Sequence, residues 1–438
     1  MPVKGAVSPH FIFFNNKVKQ AIIWIGALVA GSLIGLTGIG WMLDAADFTA
    51  AVYTRLFRLL AVPTIVLAVV TTLASMGRRR ETGRIFRHTI TYTLLTTIAA
   101  AGVGLVLYLL IAPDGMRVEA FSPQQNHGEQ WEAGVAEGTL SYAEHFKTVI
   151  PDNLVRPFLE GNVLSLLLLS FAIGLGISRL PATEGKEAVL KVLNGLQELL
   201  FLLIRWLVWT LPVGIVAFAA QLSAQLSAGA AAESLGKYVL VVIGGNVIQF
   251  FVILPLFLLA RGLNPLHVLG RMMPAVLMAL FTKSSAATLP VTMASAEERL
   301  GVRREVARFV LPICTTINMN GCAAFILVTS LFVMQSGGIV LSLPSMIVWL
   351  LISVLAAVGN AGVPMGCYFL TFSLMSGIGA PVAVLGAILP IYTIIDMVET
   401  AENVWSDSCV CAMTDRDVAS PRPSPVEKED LGRVLGRQ

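Results

Sequence analysis

The chain has 438 residues, of which 56% are hydrophobic and only 13% charged, with a mean hydropathy of +0.78 and a net charge of +3. A soluble domain carries about a quarter charged residues, so this composition excludes a soluble globular protein and predicts a polytopic helical membrane protein. The five cysteines lie in apolar segments, which argues against a disulfide framework, and the five scattered histidines argue against a metalloenzyme.

Apolar segments of membrane length recur along the first 260 residues. Because about 20 apolar residues cross a bilayer, we predict spans at about 21–43, 56–74, 90–112, 163–177, 196–218 and 239–259. The first of these lacks a convincing small-residue cleavage site, so we expect a membrane helix there rather than a signal peptide.

The distribution of basic residues predicts the orientation of these spans. The basic run Arg78–Arg80 is expected in the cytoplasm, and the acidic insertion 113–152, poor in Lys and Arg, is expected outside. Both chain termini are then predicted to be cytoplasmic, and the Pro- and charge-rich tail from Asp415 is expected to be disordered.

Two apolar segments in the second half are interrupted by small or polar residues. The first breaks at 282–290 and the second at 359–366, and each arm is too short to span a bilayer. Non-helical backbone at membrane depth must be buried or line a cavity, and paired broken segments are typical of inverted-repeat transporters. A channel with a re-entrant loop gives a similar pattern but leaves the carboxylates of the last helix unexplained.

The last apolar segment, 381–413, carries acidic residues that cost roughly 2.5–3.5 kcal/mol each at the centre of a membrane helix. One interpretation is a surface helix past the membrane edge with a solvated polar face. The other is a polar stripe that faces the protein interior and binds ions and a small charged solute. Glu402 points away from the stripe, which at 100° per residue consists of Asp396, Glu399, Thr400, Asn403 and Asp407.

Five sequence motifs together resemble the dicarboxylate/amino acid:cation symporter family, which includes the glutamate transporter homologues. The resemblance runs from about residue 15 to 412. The motifs are IPDNL at 150–154 with GNVL at 161–164, KSSAATLP at 283–290, NMNG at 318–321, AGVP at 361–364 and DMVETAENVWSD at 396–407.

The resemblance implies an all-α polytopic fold with eight transmembrane helices, two re-entrant helical hairpins, inverted repeats and an elevator-type mechanism. It also implies a homotrimer in the lipid of the cytoplasmic (inner) membrane, with no enzymatic activity and no nucleic-acid partner. The expected units are scaffold and trimerisation helices 1–2 at 1–75, transport helix 3 at 76–112, an extracytoplasmic loop at 113–152, scaffold helices 4–5 at 153–225, a transport domain at 226–414 and the tail at 415–438.

The resemblance also assigns roles to individual residues. Asp396 would receive the substrate amino group, and Asn403 would hold the substrate carboxylate together with the hairpin serines. The substrate residues implied are Ser284, Ser285, Val363, Asp396, Glu399, Thr400 and Asn403. The sodium ligands implied are Thr96, Thr97, Cys314, Thr316, Asn318, Asn320, Asn403 and Asp407.

The sequence departs from the family where acidic-substrate members carry an Arg three residues after the substrate Asp. Here that residue is Glu399. Glu399 either pairs with a basic substrate side chain, or is neutralised by Lys283 or by a proton so that the pocket suits neutral amino acids. An acidic amino acid would require Lys283 to replace the missing Arg, and a protonatable Glu399 leaves proton coupling open.

Further departures affect the ion sites and the gate. The motif aspartate is Asn320 and its threonine is Cys322, so a third sodium site loses its charge. Met365 and Cys367 stand where the second hairpin tip usually has small residues. The sequence therefore predicts a sodium-coupled symporter for a neutral or basic amino acid. The alternatives are an acidic amino acid or C4-dicarboxylate symporter and, in another class, a channel or non-transporting sensor.

Overall fold

The computed structural model describes residues 9–76, 83–113, 115, 150–160, 163–181, 183–225, 228–358, 360 and 365–418. All regular secondary structure in these ranges is helical. The helices are α1 Pro9–Thr37, α2 Gly40–Met76, α3 Gly83–Ile111, α4 Arg156–Glu160, α5 Val163–Arg179, α6 Glu184–Gln225, α7 Ala228–Ile248, α8 Leu254–Ala260, α9 Pro265–Thr282, α10 Ser285–Ala294, α11 Arg304–Ile317, α12 Asn320–Ser336, α13 Leu343–Val358, α14 Gly366–Gly377 and α15 Ala383–Val418. Two π-helical turns, Gln249–Ile253 and Ser295–Leu300, follow α7 and α10.

Several of the described helices are long and apolar enough to cross a membrane. Five pass on length and composition, and the number rises to seven if each of two bent helix pairs is one span. The all-helical, polytopic prediction is confirmed at this level, while the count of eight spans stays a prediction. The five are Gly40–Thr71, Gly83–Ile111, Glu233–Ala260, Pro265–Thr282 and Arg304–Ser336.

The two bent pairs owe their bends to prolines. Helix α6 bends by 53° between Leu207 and Trp209. Pro212 lies one turn later, and a proline ring clashes with the carbonyl four residues before it. Helix α15 bends by 69° at Pro390, which has no N–H to donate to the helix.

Helices α9 and α10 form the first interrupted unit. Asn264 caps α9 by accepting hydrogen bonds from the N–H groups of Leu266 and His267, and the helix reaches 18 residues. The prediction that each arm is too short to span a bilayer is therefore wrong for α9, which passes on length and composition. At its other end Lys283 has a positive φ of 54°, which stops the helix. Ser284 then caps α10 by accepting from the N–H of Ala287 at 3.2 Å. The predicted break at the serine-rich tip is therefore present and spans two residues.

Two further breaks interrupt the helices, and the second lies within the predicted interruption at 359–366. Helix α11 ends before Asn318 and Met319, and α12 begins at Asn320. The second unit breaks between α13 and α14, where Met365 has a positive φ of 62°. The predicted substrate residue Val363 at that tip lies outside the described residues.

The buried apolar side chains form two clusters. The larger one joins α2 to α14 through aromatic rings, with the ring centroids of Phe57 and Phe372 5.3 Å apart and those of Phe57 and Tyr368 6.0 Å apart. Such edge-on aromatic pairs are worth roughly 0.5–1.5 kcal/mol beyond their buried area. The smaller cluster joins α9, α11 and α15 around the buried Trp405. Helix α15 therefore contributes to both clusters and lies in the centre of the fold.

The polar half of α15 is buried. The side chains of Glu399 and Asp407 are each only 1% exposed, and Asp396 and Asn403 are also buried. The alternative of a solvated surface helix is therefore wrong. Burial of these groups at membrane depth is expensive, which indicates a function for them.

The end of α15 is ordered through Val418, so the disorder predicted from Asp415 is wrong for residues 415–418. The Arg303 guanidinium donates through Nε to Asp415 Oδ1 at 2.8 Å. The Tyr92 hydroxyl donates to the Asp417 carboxylate, which also lies 3.5 Å from His88 Nδ1 and 3.8 Å from Arg261 Nη1. The rest of the predicted tail, 419–438, lies outside the described residues.

A second charged group ties the first interrupted unit to α11. Arg308 donates through Nε and Nη2 to the two carboxylate oxygens of Glu297 at 2.8 and 3.2 Å, and Arg304 Nε lies 3.5 Å away. The hydrogen bonds from Arg308 hold the pKa of the Glu297 carboxyl below its usual value.

One disulfide corrects the expectation drawn from cysteine placement. Cys322 in the first turn of α12 is bonded to Cys367 in the first turn of α14, with Cα atoms 5.5 Å apart. Forty-five residues separate the pair in sequence, so spacing alone gave no signal. Cys314, Cys409 and Cys411 are free and buried.

Candidate functional site

The polar face of α15 meets the break between α11 and α12. Asn318 Nδ2 donates to Asp407 Oδ1 and to Ser406 Oγ, both at 2.9 Å. Asn320 Nδ2 donates to the same Ser406 Oγ at 2.8 Å. Ser406 was missed by the sequence reasoning because it lies one residue off the predicted stripe. Its hydroxyl joins the two asparagines of the break.

Helix α3 completes this group of oxygens. Thr97 Oγ1 donates to Asn320 Oδ1 at 2.9 Å, and Thr96 Oγ1 lies 3.2 Å from Asn318 Oδ1 and 3.4 Å from Asn320 Oδ1. All four side chains are buried. The structure therefore brings Thr96 and Thr97 together with Asn318 and Asn320, as the resemblance implied. We call these four residues with Ser406 and Asp407 the oxygen cluster.

The chemistry of the oxygen cluster fits a hard cation. Its side chains present hydroxyl, amide and carboxylate oxygens, the ligands that sodium and other hard cations prefer. Asp407 is the only acidic residue in the cluster, since Asn320 is an amide.

Two predicted ligands do not join the oxygen cluster through their side chains. Thr316 Oγ1 donates to the carbonyl of Ile313 in its own helix at 2.8 Å. Cys314 Sγ lies 3.8 Å from Thr93 Oγ1 and offers a soft sulfur that suits sodium poorly. The Cys314 carbonyl accepts from the N–H of Asn318 at 2.8 Å, so its backbone supports the break.

Asn403 contacts the start of α12 beside the oxygen cluster and also lies against the disulfide. We call Glu399, Cys322 and Cys367 the Glu399 pocket. Asn403 Oδ1 accepts from the backbone N–H of Gly321 at 3.0 Å, and its Nδ2 lies 3.4 Å from Cys322 Sγ. Asn360, which the sequence reasoning missed, donates through Nδ2 to Cys322 Sγ at 3.0 Å and to Cys367 Sγ at 3.3 Å. The start of α12 is thus held by side chains from α15 and from the second broken unit.

Glu399 lies in this pocket without a basic partner among the described residues. The Tyr392 hydroxyl donates to its Oε2 at 3.4 Å, and its Oε1 has no hydrogen-bond donor in the described part of the chain. A carboxylate oxygen of Glu399 lies within 4.8 Å of both disulfide sulfurs. The ion pair with Lys283, one of the predicted ways to neutralise Glu399, is absent.

Lys283 lies elsewhere at the tip of the first broken unit. Its Nζ is 5.7 Å from the centre of the Trp24 ring, a distance typical of a cation–π contact. Lys283 therefore does not replace an Arg at residue 399.

The other predicted substrate residues that the structure describes belong to α15 or to the start of α10, and these two helices pack against each other. Ser285 is buried in the first turn of α10, whereas Ser284 uses its hydroxyl as the helix cap. Thr400 Oγ1 donates to the carbonyl of Asp396 at 2.7 Å. This bond leaves the Thr400 hydroxyl oxygen free only to accept.

Comparison with known proteins gives a match along nearly the whole chain. The profile of the Sodium:dicarboxylate symporter family matches residues 21–417. The neutral amino acid transporter B(0) of Oryctolagus cuniculus is 28% identical over 88% of this chain and 78% of its own. The neutral amino acid transporter A of Bos taurus is 28% identical over 90% and 81% of the two chains. The putative sodium-dependent excitatory amino acid transporter glt-4 of Caenorhabditis elegans is 29% identical over 84% and 82%.

Proposed function

Because the chain belongs to the sodium:dicarboxylate symporter family, whose members are transporters and not enzymes, we propose that it is a symporter of neutral amino acids driven by sodium. The observation that carries the substrate class is the buried Glu399 carboxylate with no described basic partner. Similarity to two neutral amino acid transporters supports the same class.

The charge of Glu399 argues against an acidic substrate. An aspartate or glutamate side chain would bring a second carboxylate beside Glu399, in a pocket where charges are poorly screened. A buried charge left without its partner costs about 3–5 kcal/mol in proteins, and Glu399 supplies no positive partner to a substrate carboxylate. Lys283 does not compensate, because it lies over Trp24.

The remaining side chains support one binding mode for the substrate backbone. Asp396 would pair with the amino group, while Asn403 and the serines Ser284 and Ser285 would bind the carboxylate. Thr400 would accept a hydrogen bond from the substrate, since its own hydroxyl donates to the backbone carbonyl of Asp396. The side chain of the substrate then points towards Glu399 and the disulfide.

The oxygen cluster would bind the coupled sodium. Asn320 belongs to the cluster, and the next residue, Gly321, gives its N–H to Asn403. A sodium ion bound to Asn320 would therefore also position Asn403, because Gly321 is the next residue along the backbone and its N–H bonds to Asn403. Such shared positioning makes the affinities for ion and amino acid depend on each other in both directions.

A basic amino acid is the second candidate substrate, favoured by the free Oε1 of Glu399. A lysine or arginine side chain would supply the missing positive charge. Proton coupling through Glu399 is expected only with a neutral substrate. A neutral side chain brings no positive charge, so a proton would have to neutralise this carboxyl.

The architecture of the family completes the proposal. We infer a homotrimer in the cytoplasmic membrane, with both termini in the cytoplasm and an elevator motion of the transport domain. The scaffold would comprise 1–75 and 153–225, and the transport domain 76–112 and 226–414. The packing of α3 against α12 and α15 supports the assignment of α3 to the transport domain.

Uptake into proteoliposomes under an imposed sodium gradient tests the function. Labelled neutral amino acid, lysine and aspartate are offered side by side, with Glu399→Arg as the variant and exposed Glu298→Arg as the control for added charge. We expect concentrative uptake of the neutral amino acid and a gain of aspartate uptake only in Glu399→Arg. Preference for lysine supports the second candidate, strong aspartate uptake by the wild type overturns both, and uptake that never exceeds equilibrium indicates a channel.

A further inference from the structure

Glu402 is a buried carboxylate that the proposed sites do not use. It lies on α15 away from the polar stripe and is only 1% exposed. Neither Oε1 nor Oε2 has a hydrogen-bond donor among the described residues. A buried carboxylate without partners is strongly unfavourable, so a group that the protein itself does not provide is expected to neutralise it.

Two amide oxygens in and next to α7 are unsatisfied in the same way. Asn246 Nδ2 donates to the Val242 carbonyl at 2.8 Å, and Gln249 Nε2 donates to the Thr96 carbonyl at 3.1 Å. Both side chains are 1% exposed, and Asn246 Oδ1 and Gln249 Oε1 have no donor in the described part of the chain. Because the NH2 groups are held, these amides present oxygens rather than nitrogens.

The space left by Gly321 brings two of these oxygens together. A Cβ atom placed on Gly321 would lie 2.6 Å from Glu402 Oε2 and 2.8 Å from Asn246 Oδ1. The two oxygens therefore converge on one point, and any side chain at residue 321 would displace them. Glycine is required at residue 321, in the first turn of α12, because a Cβ atom there would clash with both oxygens.

Gln249 begins a π-helical turn, an uncommon feature often found at functional sites. It lies three residues after Asn246, on the same face. The next residue, Phe250, accepts through its carbonyl from Trp405 Nε1 at 3.1 Å, which joins this turn to α15 one turn beyond Glu402. The π-helical turn that begins at Gln249 is thus joined to α15 close to Glu402.

We propose that Glu402, Asn246 and Gln249 form an additional binding site for a hard monovalent cation, with sodium as the ion. A proton on Glu402 would give one hydrogen bond and leave the other acceptor oxygens unsatisfied, whereas a cation binds several oxygens at once. All the candidate ligand atoms are oxygens, which favours a hard ion over a soft one.

This inference rests on the proposed sodium-coupled function, and its test measures sodium binding without transport. The full-length protein is purified in detergent without amino acid, and its melting temperature is followed as sodium replaces choline at constant ionic strength. A ligand that binds only the folded state raises the melting temperature with its concentration. The variants are Glu402→Gln and Asn246→Leu, and Glu298→Gln is the matched control at an exposed carboxylate.

We expect Glu402→Gln to raise the sodium concentration for half-maximal stabilisation by about tenfold, with Asn246→Leu changing it in the same direction and the control unchanged. If Glu402→Gln does not fold, Asn246→Leu decides by the same criterion. A Glu402→Gln response equal to that of the wild type overturns this site and leaves the symporter proposal standing. A wild type that sodium does not stabilise overturns both. Stabilisation by acid in place of sodium, lost in Glu402→Gln, overturns the cation site in favour of a proton.

Discussion

Asn403 Oδ1 accepts a hydrogen bond from the backbone N–H of Gly321 at 3.0 Å, across 82 residues of sequence. The first N–H groups of a helix have no partner within it, so this bond satisfies a donor at the start of α12. The same side chain stands between the oxygen cluster and the pocket of Glu399. Its loss is therefore expected to affect folding and binding in separable ways.

Asn403→Leu is expected to lower stability, because it leaves the buried Gly321 N–H without an acceptor, at a cost of about 1–3 kcal/mol. Asn403→Asp keeps an acceptor oxygen at the same place but adds a negative charge facing the proposed substrate carboxylate. Because its oxygen can still accept from Gly321, we expect the Asp variant to be less destabilised than the Leu variant while losing most amino acid uptake. Thermal unfolding and proteoliposome uptake, measured on both variants, check this. Equal destabilisation of the two would contradict the acceptor role of Oδ1, and unchanged uptake by the Asp variant would contradict the substrate role of Asn403.

Asn320→Asp is expected to strengthen sodium binding by several-fold, because it adds a negative charge to an oxygen cluster that otherwise has only Asp407. Thr97 can still donate to the new carboxylate, and Ser406 can turn its hydroxyl to donate as well. The sodium dependence of uptake at fixed amino acid concentration measures the change. Asn320→Ala is the control and should weaken sodium dependence. A sodium dependence unchanged in both variants would mean that the cluster binds no cation.

The Glu297–Arg308 pair is expected to make stability depend on acid. The pKa of Glu297 is lowered in the folded protein, so its contribution is present above the unfolded pKa of about 4.5 and is lost as pH falls further. Glu297→Gln should therefore show a flatter fall in melting temperature below about pH 4.5 than the wild type. Melting temperature against pH, with Glu298→Gln as the exposed control, gives the comparison. Parallel curves for the wild type and Glu297→Gln would contradict the assignment.

The disulfide predicts a specific count of reactive thiols. Of five cysteines, three are free in the structure, so denatured, unreduced protein should react with three equivalents of a thiol reagent. After reduction with a phosphine the count should rise to five. Cys367→Ser should give four equivalents with or without the reductant. Five equivalents from the unreduced wild type would show that Cys322 and Cys367 are not bonded.

The sequence predicts those parts of the molecule that depend on local pattern. Apolar length identifies most helices, and small or capping residues such as Ser284 mark the broken units. The stripe on α15 also follows from helical period, because residues three and four apart share a face. Asn318 and Thr97 are linked to the stripe only by resemblance to a family, since nothing local connects α3 with α12.

Features that depend on distant packing could not be predicted. The importance of Ser406 and Glu402 depends on residues from other helices that lie next to them, which the sequence does not show. The side-chain oxygen of Asn246 approaches Glu402 only because Gly321 leaves room. Cys322 and Cys367 meet because two breaks in different helices converge. The ion pairs of the half-buried Asp415 and Asp417 with arginines likewise override the compositional signal for a disordered tail.

Asp417 also couples the movements of three helices. Its carboxylate accepts from Tyr92 of α3 and lies near Arg261, just after α8, while its carbonyl accepts from Arg84 Nη2 at 3.1 Å. Three helix ends that are far apart in sequence therefore share one anchoring residue. A displacement of α15 along its axis cannot leave α3 or α8 behind without breaking several charged contacts at once. A chain shortened by only its last 22 residues would lose this anchor entirely while keeping every proposed ligand.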